Sequence, residues 1–441
     1  MGDRMRYPGR RGLRALVRLA MIIIGLAPDG VLASGFQDRA GNPDWAANAF
    51  AGMAAKGYDA STAWTNPAAM MLLPRNEIEA GVSAVIPSTE FQGQNLVGPF
   101  PTPGSNGDNP ASAAPTGSLA GVWSASPAFR LGVSAETPFG QRLKYPLDFV
   151  GRYQALVSSI TDVEIGLVGA YRINQHLSLG AGPILDNFQA RLTSAVNIGP
   201  VSNVIGDPIA DVHGRDWSAG YHLGALYEFD WPLRIGVDYR SRIFESLQGD
   251  QEISIPPQLG ALSPGTAAQF AAASTNVHAD IALPDVLTVS GVWEFEPQWS
   301  ALATVQWTHW SLLQELSIIG DNGQVTVMPL QLRSTWLGSV GANYRLISIP
   351  GLMLQVGLGF DETPVTDSTR SPRLTGQSVV ILGAGLSYDM TAHASVQAAF
   401  LRELGVGSGR VMYSANATAG ELIGSYNSAV TVVGLGINWR F

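Results

Sequence analysis

The 441-residue sequence contains no cysteine, and charged residues make up only 14% of it. Without cysteine there is no disulfide framework. Soluble proteins contain about 25% charged residues on average, so this chain has too few charges for an ordinary solvated surface. After the N-terminal segment, no apolar run reaches the roughly 20 residues that a membrane-spanning helix needs. These absences exclude a disulfide-linked fold and a helical membrane protein.

The charge and the histidines exclude further classes of protein. The formal net charge is −9, whereas a nucleic-acid-binding protein carries a basic patch, so we expect no nucleic acid partner. The six histidines form no pair at metal-ligand spacing, and there is no G-x-S-x-G element. We therefore predict no metal, no cofactor and no catalytic residue, and we expect that the protein is not an enzyme.

What the sequence does contain is a repeated alternation of apolar residues with small or polar ones, typical of β-strands. In the final segment, "TVVGLGINWRF", one face is wholly apolar and ends in aromatic side chains, Trp439 and Phe441. The same alternation recurs in segments that start at Trp217, Leu233, Trp336, Leu352 and Val380. Aromatic residues at the ends of apolar strand faces are typical of a membrane girdle.

The connections between these strands alternate between short and long, as in outer-membrane barrels. Short turns such as "RINQHL" and "EFDWPL" alternate with long connections at residues 90–117, 194–215, 245–284 and 361–376. Strand pairs from Glu77 to Phe441 give about fourteen strands, an even number that closes without a free edge. We predict an all-β transmembrane protein with a 14-stranded antiparallel β-barrel at residues 75–441. A soluble β-sandwich is the less favoured alternative.

The N-terminal part predicts a signal peptide and a plug. Residues 1–33 have a basic start, a short apolar core and a small residue, Ala33, before the cleavage position, which indicates export to a bacterial outer membrane. Residues 34–74 are alanine-rich with a helical apolar stripe, and Asn66 and Pro67 suit a helix start. Because the wall leaves no room for this segment, we predict a small N-terminal helical hatch plugging the lumen.

Several stretches resemble one known family. "SGFQ", which includes Phe36, and "NPA" (Asn66, Pro67 and Ala68) are similar to the hatch of the FadL family of long-chain fatty acid outer-membrane transporters. "GVSAETPFG", "LPDVLTVSGVWEFEPQWS" and "LGFDETPVTDSTRSP" are similar to its wall strands. The resemblance covers essentially the whole mature chain. It implies a plugged barrel in outer-membrane lipid that takes up hydrophobic molecules passively; we expect it to act as a monomer.

The resemblance also implies a lateral gate. In this family a kink in the third strand opens the wall sideways, and the corresponding segment here is about residues 129–139. Gly132 and Pro138 would weaken strand pairing there, because glycine destabilises strands and proline donates no hydrogen bond. We therefore expect Gly132, Pro138 and Phe139 to form the gate. Alternatively, Gly132 reflects ordinary barrel curvature and Pro138 marks the end of a strand.

Two kinds of argument predict which residues bind the ligand. In the family, basic residues of an inner pocket bind the ligand's carboxylate, and flanking residues align Arg333 and Arg191 with such positions; alternatively, both pair with luminal acids. Independently of the resemblance, the connections 194–215 and 245–284 carry much apolar surface, which usually marks a binding site, although the two could simply pack together. The candidate contacts there are Val204, Ile205 and Phe270.

Together these observations predict passive uptake of long-chain fatty acids. The ligand would be captured in extracellular loops, transferred to a luminal pocket and released sideways at the third strand. If the pocket lacks charge, uncharged aromatic or aliphatic hydrocarbons become the alternative ligands. A porin for polar solutes, which would need no plug, and an adhesin or phage receptor using the long loops are less favoured.

Overall fold

The computed structural model describes residues 35–441, and the predicted signal peptide, residues 1–33, lies outside them. Within the described residues, twenty-one strands form one continuous antiparallel sheet. No helix in this part of the chain is long and apolar enough to cross a membrane.

The strands and helices have the following bounds. The strands are β1 Glu77–Val97, β2 Phe100–Pro101, β3 Ala114–Ser126, β4 Phe129–Glu136, β5 Gly140–Lys144, β6 Val157–Arg172, β7 Leu177–Ala195, β8 Ile209–Glu228, β9 Leu233–Arg240, β10 Ile243–Ser254, β11 Thr275–Leu283, β12 Val286–Trp293, β13 Trp299–Thr308, β14 Glu315–Gly320, β15 Val325–Pro329, β16 Thr335–Arg345, β17 Leu352–Asp361, β18 Ser378–Asp389, β19 Ala394–Val406, β20 Arg410–Tyr413 and β21 Glu421–Arg440. The α-helices are α1 Pro43–Ala47, α2 Thr62–Thr65, α3 Ser202–Ile205, α4 Pro257–Leu262 and α5 Pro264–Ala272. Short 3-10 helices lie at Pro67–Leu72, Gly199–Val201 and Trp310–Leu312.

The sheet closes into a barrel because β1 pairs with β3 on one side and with β21 on the other. Five wall strands are interrupted and consist of two segments each: β4 with β5, β9 with β10, β11 with β12, β13 with β14, and β15 with β16. β2 and β20 are short additions that pair with β1 and β21. The described residues thus form a closed 14-stranded antiparallel barrel, as predicted.

The two faces of the wall alternate along each strand. On β21, Val433, Leu435 and Trp439 are 47–62% exposed, whereas Val432 and Asn438 are buried. The exposed face is the one that lipid covers. Exposed aromatic side chains gather at the short-turn end, including Trp231, Trp293, Phe295, Trp299, Trp439 and Phe441. This belt has the position of a membrane girdle.

The strands extend further than predicted at the opposite end. β8 begins at Ile209 and β10 ends at Ser254, so the expected connections 194–215 and 245–284 shrink to residues 196–208 and 255–274. β1 likewise continues to Val97, inside the expected connection 90–117. The backbone groups of these segments stay paired because unpaired N–H and C=O groups are costly, even where the outward side chains are polar.

The N-terminal residues lie inside the barrel. Every residue from 35 to 73 is buried except Gly57, Tyr58 and Leu72, which are half-buried. The rings of Trp45 and Trp64 stack with centroids 4.9 Å apart. Inward-facing glycines of the wall leave room for this segment. A Cβ at Gly180 would lie 2.6 Å from the backbone nitrogen of Ala68. Residues 35–73 are called the hatch from here on.

Candidate functional site

The wall is broken in its third strand, at Thr137–Phe139 between β4 and β5. β4 pairs with β3 as far as Ala135, opposite Leu119. Past the break, β5 keeps the pairing with β6 that β4 also has, but the ladder with β3 does not continue. The predicted gate residues Pro138 and Phe139 lie in this break. Pro138 has no N–H to donate to a neighbouring strand, which favours an interruption at this position.

The start of the hatch lies against the break. Gln37 forms an isolated antiparallel bridge with Phe139. The N–H of Asp38 donates to the carbonyl of Pro138 at 2.7 Å, and the N–H of Gly140 donates to the carbonyl of Phe36 at 2.8 Å. The hatch therefore supplies backbone hydrogen bonds that a neighbouring wall strand would otherwise supply.

Gly132, the third predicted gate residue, has a different place. It lies within β4, where a Cβ would come 2.5 Å from the sulfur of Met70 and 3.0 Å from the Cβ of Ala63. Gly132 therefore makes room for the hatch and does not interrupt the strand. Sequence reasoning could not separate these roles, because a glycine in a strand suits either a bend or a close approach.

An apolar cluster fills the lumen between the break and the extracellular loops. Phe36 of the hatch contacts Phe139 and Trp310, with ring centroids 5.6 and 4.8 Å apart. The members of this luminal apolar cluster are Phe36, Phe139, Ile184, Phe188, Ile243, Leu247, Leu283, Trp310, Leu313, Leu332, Val365 and Leu374. Such a lining suits a hydrophobic ligand.

The loop at residues 362–377 covers the cluster from the extracellular side. Two of its residues, Val365 and Leu374, belong to the cluster. Arg373 of the same loop donates to the carbonyl of Val157 at 2.9 Å and to Ser158 Oγ at 3.0 Å. Burial lowers the pKa of Arg373 to about 10. These hydrogen bonds hold the loop in the mouth of the barrel.

A small cavity remains where the hatch meets the break. Its volume is about 30 Å³, and its lining includes Pro138, Phe139, Trp64, Arg39 and Arg240. A volume of this size holds about two water molecules but no hydrocarbon chain. The path between lumen and break is therefore closed in this conformation.

Two buried arginines tie the hatch to the wall beside this cavity. Arg39 Nη1 of the hatch lies 2.8 Å from Asp361 Oδ2. Arg240 of β9 pairs with Glu164, and its guanidinium carbon lies 4.4 Å from the ring centroid of Trp64. Charge-assisted hydrogen bonds of this kind are the stronger ones in proteins. Sequence reasoning missed both arginines, because their partners lie far away along the chain.

The Asn66 side chain fixes a second part of the hatch. Its Oδ1 accepts from the N–H of Ala68 at 3.0 Å, which caps the 3-10 helix as predicted, and Pro67 follows at the first helical position. Its Nδ2 donates to the carbonyls of Ala54 at 2.7 Å and Ala225 at 3.0 Å. Asn66 thus joins two hatch segments to β8.

We expect Asn66→Ala to loosen the hatch while the barrel stays folded. The variant loses a helix cap, worth about 0.5–2 kcal/mol, and leaves the buried carbonyl of Ala54 without this donor. Hydrogen exchange of hatch amides should rise, and heat-modifiable migration on gels should persist. Asn416→Ala is the matched control, because Asn416 caps an exposed loop by accepting from Thr418 and Ala419. Unchanged hatch protection in Asn66→Ala would contradict the expectation.

The structure does not place the two candidate arginines in the lumen. Arg191 lies on the outward face of β7, where its side chain is 60% exposed and Nη2 is 2.5 Å from Asp211 Oδ2. Arg333 is exposed and donates to the carbonyl of Thr363 at 3.2 Å. It lines an open cavity of about 760 Å³ together with Phe360, an outward residue of β17.

Two of the predicted loop contacts, Ile205 and Phe270, also lie outside the luminal apolar cluster. Ile205 in α3 and Phe270 in α5 are half-buried, and the side chain of Val204 is outside the described part of the chain. An apolar cleft of about 350 Å³ lies elsewhere, between residues 97–103, Tyr153 and residues 197–200. Its Phe100 is 73% exposed. Sequence reasoning missed this cleft because three separate loops form it.

A closed barrel with an aromatic belt, a filled lumen and a broken wall strand defines an outer-membrane transport channel. The chain belongs to the outer membrane protein transport protein family (OMPP1/FadL/TodX), whose model matches residues 26–441. Members of this family are channels for hydrophobic compounds and not enzymes. The predicted outer-membrane location and family are confirmed.

Individual relatives fit this assignment. The chain is 26% identical over 397 residues to the long-chain fatty acid transport protein of Escherichia coli O6:H1, covering 85% of this chain and 88% of the relative. A solved Pseudomonas aeruginosa FadL homologue superposes with a TM-score of 0.85 at 21% identity, over 92% of this chain and all of that one. The Ralstonia pickettii toluene transporter TbuX has a TM-score of 0.63 at 17% identity, over 93% and 99%. At these identities the two structures show the fold alone.

Proposed function

We propose that this channel takes up long-chain fatty acids and releases them sideways through the break in the third wall strand. The observation that carries the proposal is the course of the luminal apolar cluster. It runs from Val365 and Leu374 in the covering loop to Phe139 in the break. Because the hatch fills the lumen below, a ligand that follows the cluster meets the wall and not the periplasmic end.

The length of this path favours a long chain over a single ring. Twelve side chains contribute to the cluster, whereas a monoaromatic ligand would contact only a few of them. Each buried CH₂ contributes about 0.8 kcal/mol, so a long acyl chain gains most from such a path. The fatty acid relative of Escherichia coli supports this choice. Lumen, hatch and break all come from one chain, so we propose a monomeric channel.

Capture would begin in the extracellular loops. The cleft between residues 97–103, Tyr153 and residues 197–200 presents apolar side chains to the outside. We propose it as a first contact for the ligand, with Val204, Ile205 and Phe270 as further loop contacts. From there the ligand would pass beneath the loop at residues 362–377 into the lumen.

Uncharged hydrocarbons are the second candidate ligands. Arg39 and Arg240, the arginines beside the break, are already paired with Asp361 and Glu164. An uncharged ligand would pass them without disturbing either ion pair. The structural neighbour from Ralstonia pickettii is a toluene transporter, and aromatic hydrocarbons are therefore the class of uncharged ligand to test.

A chain-length series distinguishes the two candidates. Binding of saturated fatty acids to the purified protein should strengthen by about threefold to fourfold with each added CH₂ until the path is full, and toluene should compete weakly. Leu247→Asn, inside the cluster, should weaken the longest acid at least tenfold. Leu262→Asn is the matched control, because Leu262 lies in α4 and is 68% exposed. A flat series with strong toluene competition would favour hydrocarbons.

A further inference from the structure

Three acidic side chains interrupt the apolar lining of the lumen: Asp162 on β6, Asp186 on β7 and Glu245 on β10. We name them the acidic triad. The residues two positions away on the same strand face are mostly apolar. Four of them, Ile184, Phe188, Ile243 and Leu247, belong to the luminal apolar cluster, and Ile160 packs against it. The acids therefore lie within the path proposed for the ligand's chain.

The triad residues are close together and fully enclosed. Phe188 opposes Asp162 and Asp186 opposes Glu164 in the register of β6 with β7, so Asp162 and Asp186 are diagonal neighbours. Asp186 in turn acts on Glu245 electrostatically. All three triad side chains are 0–1% exposed.

By hydrogen-bond geometry, none of the six carboxylate oxygens of the triad has a donor among residues 35–441. The Ser218 hydroxyl lies near Glu245 but donates to the carbonyl of Phe244 at 2.7 Å. The charged groups that face them are Glu164, Asp216 and Arg240. Arg240 acts on Asp162, but because it is already paired with Glu164, it offsets the charge of the triad only in part. Buried polar atoms normally have hydrogen-bond partners. Six unpartnered oxygens in one place therefore indicate either that a ligand binds there or that the carboxyl groups are protonated.

A metal ion does not fit this arrangement. Among the described residues, no group of three or more histidine, aspartate or glutamate side chains is arranged to hold one. Three unpaired buried carboxylates are prohibitively costly. Adjacent carboxyl groups avoid that cost by sharing protons, as in paired catalytic aspartates. In the closed channel, the triad therefore holds protons between its members.

We propose that the acidic triad is the head-group site of the luminal path and binds a neutral head group that donates a hydrogen bond. For a fatty acid this is the protonated carboxyl group. The inference rests on the proposed function, because it assigns the head group of the same ligand. It also accounts for the location of Arg191 and Arg333 outside the lumen, because no cation is needed for a head group that is bound in its neutral form.

A fatty acid that enters as its carboxylate takes a proton from one triad carboxyl group. The ligand becomes the neutral acid, and that triad member becomes a carboxylate, which accepts a hydrogen bond from the new O–H. When the ligand leaves through the break, the triad regains a proton from water. A neutral acid enters lipid far more readily than its carboxylate does, so the exchange favours sideways release.

Ligand binding at two pH values tests the proposal. The probes are palmitic acid and hexadecanol, which have equal chain lengths, with the purified protein in detergent. Wild-type protein should bind palmitic acid at least tenfold more weakly at pH 8.5 than at pH 6, while hexadecanol binding stays constant. In Asp162→Asn/Asp186→Asn/Glu245→Gln, amide groups can donate to a carboxylate. That variant should bind palmitic acid within about twofold at both pH values.

Two controls keep the outcome interpretable. Asp250→Asn changes an outward acid whose side chain is 51% exposed, and it should keep the wild-type pH profile. If the triple variant lacks heat-modifiable migration, Glu245→Gln alone should still reduce the pH dependence. Wild-type binding of palmitic acid that is equal at both pH values, or a folded triple variant with the wild-type profile, would overturn the proposal. Wild-type protein that binds neither probe would overturn the proposed function as well.

Discussion

A disulfide between positions 37 and 139 is expected to stop uptake while the barrel stays intact. Gln37 and Phe139 oppose each other in an antiparallel bridge, and the hydrogen bonds on either side, from Asp38 and Gly140, make them a non-hydrogen-bonded pair. The Cα atoms of such pairs are about 4.5 Å apart, which lies within the range of disulfides. The chain has no other cysteine, so the new pair has no competitor.

The expected effect is large because, on the proposed sideways route, the hatch must leave the break before a ligand can pass it. In Gln37→Cys/Phe139→Cys, fatty acid uptake should fall at least tenfold on oxidation and recover on reduction. Comparing the two redox states of one protein removes the effect of losing the Phe139 side chain. The measurement is uptake of labelled fatty acid by cells that lack their own transporter for it.

A second cysteine pair serves as the control for oxidation itself. Met412 on β20 and Ile423 on β21 oppose each other in the register of those strands, away from the break. Met412→Cys/Ile423→Cys should form a disulfide without changing uptake. If the oxidised pair at positions 37 and 139 transports as fast as its reduced form, sideways release through this break is wrong.

The barrel wall could be predicted because strand alternation is a local property of the sequence. Val433, Leu435 and Trp439 must share a face whatever the rest of the chain does, and an apolar face of that length requires lipid or a core. The 3-10 helix after Asn66 followed from cap chemistry in the same way. Strand ends were less predictable, because pairing continued beyond the apolar band.

The placement of Arg191 and Arg333 could not be predicted from alignment alone. A shift of one residue moves a side chain to the other side of a sheet. Near Arg333 the chain includes Gln331 at a φ of 46°. Leu332 lies in the luminal apolar cluster, while the next residue, Arg333, is exposed. A sequence pattern contains no direct signal for such a local turn.

The acidic triad did leave a signal in the sequence. An acid two positions along a strand from an isoleucine occurs at Asp162, Asp186 and Glu245. A short turn joins β6 to β7, but nothing in the sequence indicates that the face of β10 meets theirs, since β10 reaches them only through the barrel. The ion pairs of Arg39 and Arg240 with the wall are hidden for the same reason.

Deleting residues 34–74 from the exported chain is expected to give a folded barrel with at least tenfold higher ion conductance. The wall closes through pairing of β1 with β21, which does not involve the hatch. Barrels of eight strands are filled by their own side chains, whereas those of sixteen to eighteen leave a water channel. A barrel of fourteen strands is closer in width to those that hold a water channel, so removal of the hatch should let water and ions through the lumen.

The deletion also shows whether the hatch or the loop at residues 362–377 seals the channel. Phe36 is the only hatch residue among the described members of the luminal apolar cluster, so most of the cluster, with Val365 and Leu374 above it, survives the deletion. Acids such as Asp361 lose hatch partners, but water in an open lumen can solvate them, as in other barrels with polar interiors. Single-channel recording of both proteins in planar bilayers, with gel migration as the folding check, provides the measurement. A folded barrel whose conductance does not change would mean that the loop at residues 362–377 and the apolar cluster seal the lumen by themselves, and the hatch would then act only at the break.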